Sequence, residues 1–433
     1  MWLLTFLLVA ATLLIGWMLF GYFILLWLLA AFRPKKKPVF PTKWPRLSII
    51  VPCYNERDEI LDKLENVRAL QYADGAWEVV FADGGSTDGT TDLLCEAIGE
   101  GEPFRLVRCP RKGKIHQINH VLGQLTGEIV VNTDVDARLA PDALQWLAAE
   151  FALSPDVAVV GAYVRPAAGL DIEMYHWDAM NKGRFLETDA HTSSIAIAPC
   201  YGFRRTLLAA FPEDVVADDI YVAYLAHAKG FRAVYSRRAM ALEHRCPSSY
   251  EDFLPHKYRK SNAYLRESLR FLYVLPEMDA FCRFMMLTRV AQQLLLPWAM
   301  LFWVIIAATL VTLFRYDLVI YASVLLAVLF ILTSRVFAQV DLPGEDRWRR
   351  HRLDTVITGY VLTLVIMLIT GITYPLFRQG SSYAKLPQAD AADAAREPAR
   401  SAAPGEPPPE GAPREQPDAQ ADARCAPGVG ASS

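Results

Sequence analysis

The fold class is decided by the stretch Ser48-Ile49-Ile50-Val51-Pro52-Cys53-Tyr54-Asn55-Glu56. Residues 47–51 are a short run of apolar and β-branched side chains that ends at a proline and polar residues, which is typical of a buried strand followed by a turn. Residues 77–82 and 128–132 repeat this pattern, and helical patterns cover residues 58–70, 90–97 and 114–125. Alternating strands and helices predict an α/β domain with a parallel sheet, in which ligands bind beyond the carboxyl ends of the strands.

Long apolar stretches lie on both sides of this α/β segment. Residues 1–32 contain no charged side chain, so we predict a retained transmembrane helix, because the run is too long for a signal peptide and lacks a basic start. Residues 290–314, 318–340 and 355–377 are three further apolar stretches near the ~20 residues that a helix needs to cross a bilayer. Gln292 and Gln293 could bind a translocating sugar, but we favour hydrogen bonds to neighbouring helices.

Basic side chains follow the first and third apolar stretches, at Arg33, Lys35, Lys36 and Lys37 and again between 347 and 352. Since Lys and Arg concentrate on the cytosolic side of membrane spans, we predict that the N-terminus faces outward and the α/β domain faces the cytosol. We expect the cytoplasmic membrane of a bacterium.

The composition excludes some classes of partner. The formal net charge is only −3 and the basic residues form no binding stripe, so we expect no nucleic-acid partner. The seven cysteines lack metal-ligand spacing and predict free thiols in a reducing compartment. Residues 378–433 are rich in Ala, Pro, Glu and Asp and poor in large apolar residues, which predicts a disordered tail.

Four polar motifs in order resemble those of membrane-integrated family 2 glycosyltransferases with a GT-A fold, and the resemblance covers about residues 47–270. They are the opening stretch with Pro52, Tyr54 and Glu56, then Asp83-Gly84-Gly85-Ser86-Thr87-Asp88-Gly89-Thr90, then Asp134-Val135-Asp136, and last Asp218-Asp219 with Gly230 further on. The family usually has a second Asp where Gly84 stands and Glu-Asp where Asp218-Asp219 stands. The resemblance implies a GT-A catalytic domain that binds a nucleotide-sugar donor.

The Asp134-Val135-Asp136 triplet is the candidate metal site. A divalent cation can neutralise the charge that grows on a leaving diphosphate, and hard carboxylate ligands suit Mg²⁺ or Mn²⁺. An acidic triplet alone is more often a surface turn. Its position directly after the apolar residues 129–131 favours the metal site, in which Asp134 also contacts the donor.

The resemblance implies that Asp219 is the catalytic base that takes the proton from the acceptor hydroxyl. Asp218 then supports the start of the following helix. A pair of aspartates before a helix also serves as an N-terminal cap, and capping and catalysis are compatible.

The donor pocket is assigned by the same resemblance. Asp83 is expected to contact the uracil or ribose, with Pro52, Tyr54 and Glu56 shaping the pocket. Lys114 matches a basic position near the nucleotide, although a solvated loop with Arg108 and Arg111 is an equally good interpretation.

Processive members such as cellulose, hyaluronan and chitin-oligomer synthases carry a QxxRW motif after the base. This chain has His256-Lys257-Tyr258-Arg259-Lys260 there, so Arg259 and Lys260 could clamp the diphosphate with support from His256, but the Trp that holds a growing polymer is missing. We therefore predict transfer of one or a few sugars. Interfacial helices around residues 250–275 either bring the acceptor to the site or pack against the domain.

The predicted function is an inverting, metal-dependent transfer of a sugar to a lipid-linked or membrane-delivered acceptor in glycolipid or exopolysaccharide assembly. The expected donor is a nucleotide-diphosphate sugar, with a UDP-sugar favoured. Other envelope or polysaccharide assembly proteins are possible partners beside the membrane lipids. The alternatives are a processive synthase and a catalytically silent scaffold that binds sugar nucleotides. The predicted division of the chain is a transmembrane helix at 1–32, a basic linker at 33–46, the GT-A domain at 47–245, interfacial helices at 246–288, three transmembrane helices at 289–377 and the tail at 378–433.

Overall fold

A computed structural model of the chain describes residues 1–33, 37–73, 76–343 and 351–377. Three sequence predictions lie outside the described residues: the disordered tail at 378–433, Lys35 and Lys36 of the first basic cluster, and residues 347–350 of the second.

An eight-stranded, mostly parallel sheet forms the centre of the α/β domain. In the order β3-β2-β1-β4-β7-β6-β8-β5, its pairs are parallel except for those that involve β7 and the pair β5–β8. The strands are β1 (Leu47–Cys53), β2 (Trp77–Asp83), β3 (Phe104–Arg108), β4 (Ile129–Thr133), β5 (Ala137–Leu139), β6 (Val157–Pro166), β7 (Cys200–Arg204) and β8 (Arg232–Glu243). The three strands predicted from the sequence are β1, β2 and β4, and they are parallel neighbours as expected.

Helices cover both faces of the sheet and extend from it into an apolar bundle. They are α1 (Trp2–Gly16), α2 (Tyr22–Ala31), α3 (Ile60–Arg68), α4 (Thr90–Ala97), α5 (Lys114–Leu122), α6 (Ala143–Ala152), α7 (Asp171–Ala190), α8 (Asp218–Ala228), α9 (Tyr250–Arg270), α10 (Ala280–Leu294), α11 (Leu296–Thr312), α12 (Tyr316–Ala338) and α13 (Leu353–Thr373). Single 3-10 turns occupy Arg205–Leu207 and Leu272–Glu277.

The packing of β1 explains why the central strands are mostly apolar. Ile49 and Val51 belong to the core that includes residues of α3, α4 and α6, whereas Ile50 belongs to the core with residues of α5 and α8. A strand that is covered on both faces must present apolar residues at every position. The carboxyl ends of β1, β2 and β4 therefore reach the same edge of the domain together with the polar motifs that follow them.

Among the described residues, four helical segments are long and apolar enough to cross a membrane, if one bent pair counts as a single span. Trp2–Ala31 is continuous through a π-helical turn at Trp17–Gly21, and α12 and α13 are single helices. The span predicted near residues 290–314 corresponds to the end of α10 together with α11. The chain bends by 52° between α10 and α11, where Pro297 in the first turn of α11 lacks the N–H that would continue the helix from α10.

Helix α7 connects the sheet domain to the apolar helices. Its Lys182 Nζ donates to the carbonyl of Phe337 in α12 at 2.9 Å, and its Asp178 lies 2.8 Å from His351, just before α13. At its C-terminal end, Glu187 accepts a hydrogen bond from Tyr22 of α2. Polar side chains of α7 thus make specific bonds with three parts of the membrane region.

Candidate active site

The first two motifs fold into one interlocked pair of turns. Asn55, in a left-handed conformation (φ 52°), donates through its N–H to Ser86 Oγ at 2.9 Å and accepts from the N–H of Thr87 at 2.8 Å. Glu56 N–H donates to Thr90 Oγ1 at 2.8 Å. Asn is among the few residues that adopt this conformation readily. The turn after β1 is therefore held against the turn after β2.

Asp83 is buried at the end of β2, and its carboxylate organises the following turn. It accepts hydrogen bonds from Gly85 N–H at 2.9 Å and from the N–H and hydroxyl of Ser86, the latter at 2.5 Å. Its backbone carbonyl accepts from Cys109 N–H. The structure thus places Asp83 beside Asn55 and Ser86, at the strand edge where the sequence predicted a donor pocket.

A buried amide lies against Gly84, the position where the sequence differs from the family pattern. A Cβ at position 84 would lie 2.8 Å from Gln117 Nε2, which donates to the carbonyls of Cys53 and Ala82 at 2.5 and 2.8 Å. Gln117 therefore occupies the space that a larger residue at position 84 would need.

The acidic triplet forms the tight connection from β4 to β5, and side chains of α3 bind the residues on both sides of it. Lys63 is fully buried, and its Nζ donates to Thr133 Oγ1 at 2.8 Å and to the carbonyl of Ala137 at 2.6 Å, one contact on each side of the triplet. Asn66, one turn further along α3, exchanges two hydrogen bonds with the backbone of Leu139. The positions of Asp134 and Asp136 are thereby fixed by buried polar contacts.

Lys114 joins the acidic triplet to the start of α8. Its Nζ lies 2.8 Å from Asp134 Oδ1 and 3.2 Å from Asp218 Oδ2, and Tyr201 donates to Asp218 Oδ2 at 2.6 Å. Two predicted site residues from separate motifs, Asp134 and Asp218, thus meet at the Lys114 ammonium. Lys114 is the first residue of α5 and pairs with two carboxylates, so it does not lie in a solvated loop with Arg108 and Arg111.

Asp218 and Asp219 lie in the first turn of α8, whose N-cap residue is Ala217. Neither aspartate is therefore the N-cap residue itself, but both place a carboxylate at the N-terminal end of the helix, where the helix dipole favours negative charge. Asp218 faces Lys114 and Tyr201. Asp219 Oδ2 accepts a hydrogen bond from Ala198 N–H at 3.0 Å. Burial and the neighbouring charge of Asp218 raise the pKa of Asp219 to about 6.

Asp136 lies among further carboxylates. Burial and the charges of Asp134 and Glu243 raise the pKa of Asp136 to about 7, against the opposing effect of Arg245. Arg245 is itself paired with Glu56 at 2.5 Å. Such an excess of partly desolvated carboxylates fits a divalent cation, which would relieve their repulsion.

Within the described parts of the chain, no three His, Cys, Asp or Glu side chains converge closely enough to hold an ion by themselves. Asp134 and Asp136 could supply one or two ligands, and donor phosphate oxygens and water would complete the shell. This division of ligands is usual for Mg²⁺.

The five residues at the QxxRW position lie on α9 and are mostly engaged with α7 and α13. His256 is buried, Lys257 pairs with Glu173 of α7 at 2.8 Å, and Tyr258 hydrogen-bonds Thr373 of α13 at 2.7 Å. Lys260 Nζ lies 5.3 Å from the centre of the Trp177 ring and 3.8 Å from Glu243. Arg259 is half-buried on the same helix.

Sequence reasoning missed Lys63, Gln117, Arg245 and the loop of residues 191–199 that contacts Asp219. Arg245 could have been found, because Glu243-His244-Arg245 follows an apolar strand in the same way as the other motifs. Lys63 gives no such signal, since a single lysine in an amphipathic helix is usually at the surface.

Comparison with known proteins gives the family that the α/β domain resembles. Residues 48–211 match the family model described as Glycosyl transferase family 2. Residues 48–211 are thus identified as a family 2 glycosyltransferase domain. The chain is 26% identical over 258 residues to an N-acetylglucosaminyltransferase of Mesorhizobium japonicum (55% of this chain, 60% of that protein), and 26% identical over 268 residues to one of Rhizobium meliloti (57% and 62%). The chain thus spans about three fifths of the length of the relatives it matches.

The fold of the family 2 domain and its helices has a counterpart among solved structures. The mannosyltransferase PcManGT from Pyrobaculum calidifontis, in complex with GDP-Man and Mn2+, superposes with a TM-score of 0.63 at 23% identity, over 85% of this chain and 99% of that one. The GT-A fold predicted from the motifs is confirmed.

Proposed function

We propose that this chain is an inverting glycosyltransferase that moves a sugar from a nucleotide-diphosphate donor to a membrane-delivered acceptor. The observation that carries the proposal is the carboxylate of Asp219. It is oriented by Ala198 N–H at 3.0 Å, its pKa is raised to about 6, and the chain Asp218–Lys114–Asp134 connects it to the acidic triplet. A base with such a pKa works well near neutral pH.

In the proposed reaction, the acceptor oxygen forms a bond to the anomeric carbon as the bond from that carbon to the diphosphate oxygen breaks. The hydroxyl proton moves to Asp219, and the leaving diphosphate keeps the electron pair of the broken bond. Attack opposite the leaving group inverts the anomeric centre. Lys114 contributes positive charge near the diphosphate, and Asp83 and the interlocked turns hold the nucleoside.

Asp134 and Asp136 would hold Mg²⁺ or Mn²⁺ together with the donor. When bound, the cation supplies charge neutralisation for the leaving diphosphate. Arg259 and Lys260 of α9 are the proposed additional cations on the donor side, with His256 as a buried support.

Transfer of one or a few sugars is favoured over polymer synthesis. At the position of the QxxRW tryptophan, Lys260 lies against the Trp177 ring, so α9 offers no aromatic side chain there for an acceptor sugar. The acceptor would reach Asp219 along α9 and the membrane helices, which lets a lipid-linked or membrane-delivered molecule enter. The relatives named N-acetylglucosaminyltransferases make N-acetylglucosamine the first sugar to test.

The membrane arrangement is part of the proposal: the N-terminus outside and the family 2 domain at the cytosolic face of a bacterial inner membrane. Support comes from the basic residues Arg33 and Lys37 after the first span and from the docking of the domain on the helices through α7. Single cysteines probed with an impermeant maleimide in intact cells test it. Labelling of a cysteine placed on α4 without permeabilisation would refute the cytosolic assignment.

Transfer of labelled sugar in membrane vesicles tests the reaction. A panel of UDP- and GDP-sugars is compared for the wild type, Asp219→Asn and the control Glu213→Gln, which changes an exposed pair with Arg111. We expect Asp219→Asn to lose on the order of 10²–10⁴ in rate, with donor binding retained and Glu213→Gln unaffected. Wild-type transfer by Asp219→Asn would refute the base, a ladder of long products would show a processive synthase, and nucleotide binding without transfer would show a scaffold.

A further inference from the structure

A buried carboxylate links the membrane helices to the loop that positions the proposed base. Glu187, near the end of α7, is fully buried. Its Oε1 accepts from the Tyr22 hydroxyl at 2.7 Å and pairs with Arg289 of α10 at 2.6 Å. Its Oε2 accepts from the N–H and the hydroxyl of Ser194 at 2.8 and 2.7 Å. One oxygen thus faces the membrane helices and the other faces the loop of residues 191–199.

The membrane side of this junction is itself closely held. The Arg289 guanidinium lies over the rings of Tyr22 and Phe23 and donates to Gln292 Oε1 at 3.2 Å. Gln292 Nε2 donates to the carbonyl of Met18 at 2.6 Å, inside the π-helical turn of the first span. These glutamine contacts follow the interpretation favoured from the sequence, in which Gln292 bonds a neighbouring helix.

The loop of residues 191–199 reaches both halves of the proposed active site. Ala198 N–H donates to Asp219 Oδ2 at 3.0 Å. One residue later, the carbonyl of Pro199 accepts from Asp134 N–H at 3.3 Å and from Thr133 Oγ1 at 3.0 Å. Ser194, which binds Glu187, lies only four residues before Ala198. The backbone that orients the base is therefore anchored to a side chain whose partners come from the membrane.

We infer that Glu187 is a positioning residue, through which the docking of the first membrane helix and α10 sets the orientation of Asp219. A buried carboxylate is stable only when its partners are present, so loss of the Tyr22 hydroxyl or of Arg289 frees the carboxylate to move. Movement at Glu187 shifts Ser194 and the N–H of Ala198. The inference rests on the proposed function, because it concerns the base of that reaction.

The test uses the full chain in nanodiscs and three variants. Tyr22→Phe and Ser194→Ala each remove one hydroxyl from Glu187, and Ser194→Thr restores a hydroxyl at the second position. The matched control is Lys182→Met, which breaks another contact between α7 and a membrane helix, the bond to the carbonyl of Phe337, but does not involve the loop.

We expect kcat to fall about tenfold in Tyr22→Phe and Ser194→Ala, with the KM for the donor unchanged and recovery in Ser194→Thr. The acid limb of the pH profile should move to higher pH in these two variants. The hydrogen bond from Ala198 N–H lowers the pKa of Asp219, so weakening that bond raises the pKa. The other groups that face Asp219, namely Asp218, Lys114, Arg184 and Tyr201, are the same in every variant. Lys182→Met should leave kcat and the acid limb at their wild-type values.

Hydrogen exchange separates failure of this inference from failure of the proposed function. The amides of Ser194 and Ala198 should exchange faster in Tyr22→Phe than in wild type and Lys182→Met, whether or not a sugar substrate is known. The positioning role of Glu187 is refuted if Tyr22→Phe and Ser194→Ala have the same amide exchange rates, the same kcat and the same position of the acid limb as Lys182→Met. Absence of transfer by the wild type would refute the proposed function. The hydrogen-exchange result would then still test whether Glu187 anchors the loop of residues 191–199.

Discussion

Lys114 Nζ lies 2.8 Å from Asp134 Oδ1, so the cation in the first turn of α5 contacts the first carboxylate of the acidic triplet. The same ammonium is 3.2 Å from Asp218, the first residue of α8 and the neighbour of the proposed base Asp219. Lys114 therefore stands between the acidic triplet and the first turn of α8. In the proposed reaction, its charge would be available to the diphosphate when a divalent cation takes its place beside Asp134.

Lys114→Met should weaken nucleotide binding by about 10- to 100-fold, because it removes a charge-assisted contact and leaves Asp134 and Asp218 to repel each other. Titration calorimetry with UDP and GDP in the presence of Mn²⁺ measures this. The control is Lys112→Met, two residues earlier, where the side chain is exposed in the loop that precedes α5. Equal dissociation constants for both variants would show that Lys114 does not bind the donor.

The rate of sugar transfer should depend on the ionisation of Asp219. Its pKa is raised to about 6, first by burial and then by Asp218, and only the carboxylate can accept a proton. Activity is therefore expected to be constant above about pH 7 and to fall about tenfold per unit well below pH 6. Asp218→Asn removes a negative neighbour that raises the pKa of Asp219, so this variant should shift the acid limb to lower pH. A rate that stays constant to pH 5 would contradict the assignment.

The sequence predicted the part of the fold that has simple patterns. β1, β2 and β4 are buried on both faces and read as continuous apolar runs, so their existence and parallel pairing could be foreseen. β3 carries two arginines and is only partly buried at the edge of the sheet, and β5 has three residues. Such strands form because a neighbour offers hydrogen bonds, which local sequence does not reveal.

Candidate site residues could be predicted where a motif follows a strand or resembles that of a known family. Asp83 and Asp134 were predicted in the first way, and Asp218 and Asp219 in the second. The structure brings Asp134 and Asp218 to Lys114, and the roles of these residues in the reaction stay predictions. Lys63 and Glu187 could not be found, because their significance comes from partners 70 and 165 residues away, Thr133 and Tyr22. Buried polar contacts of this kind depend on tertiary packing and have no local pattern.

Gly84→Ala should destabilise the domain by about 1–3 kcal/mol, because the new methyl group would lie 2.8 Å from Gln117 Nε2 and force that amide off its two carbonyl acceptors. Thermal unfolding of purified protein measures the loss. Gly123→Ala is the control, since the Cβ at that position meets nothing within 4 Å and its φ is −69°.

A second substitution tests the cause of the Gly84 effect. Gln117→Ala removes the obstructing amide, so the double variant should be less destabilised than the sum of the two single variants. Strict additivity would show that Gln117 is not what excludes a side chain at position 84.

Lys63 should make the stability of the protein rise with pH. Burial lowers the pKa of Lys63 from 10.5 to about 7, so between these values the unfolded chain carries a proton that the folded chain lacks. Unfolding then takes up a proton, and each unit of rising pH favours the folded state by about 1.4 kcal/mol. Lys63→Met lacks this contribution. From pH 7.5 to 9, the midpoint of thermal unfolding should therefore rise by about 2–6 °C more in wild type than in Lys63→Met. The control is Lys229→Met, because Lys229 is exposed and donates to the carbonyl of Leu207. This control should behave as wild type. Parallel pH curves for wild type and Lys63→Met would mean that Lys63 keeps its proton when folded and holds the acidic triplet as a permanent cation.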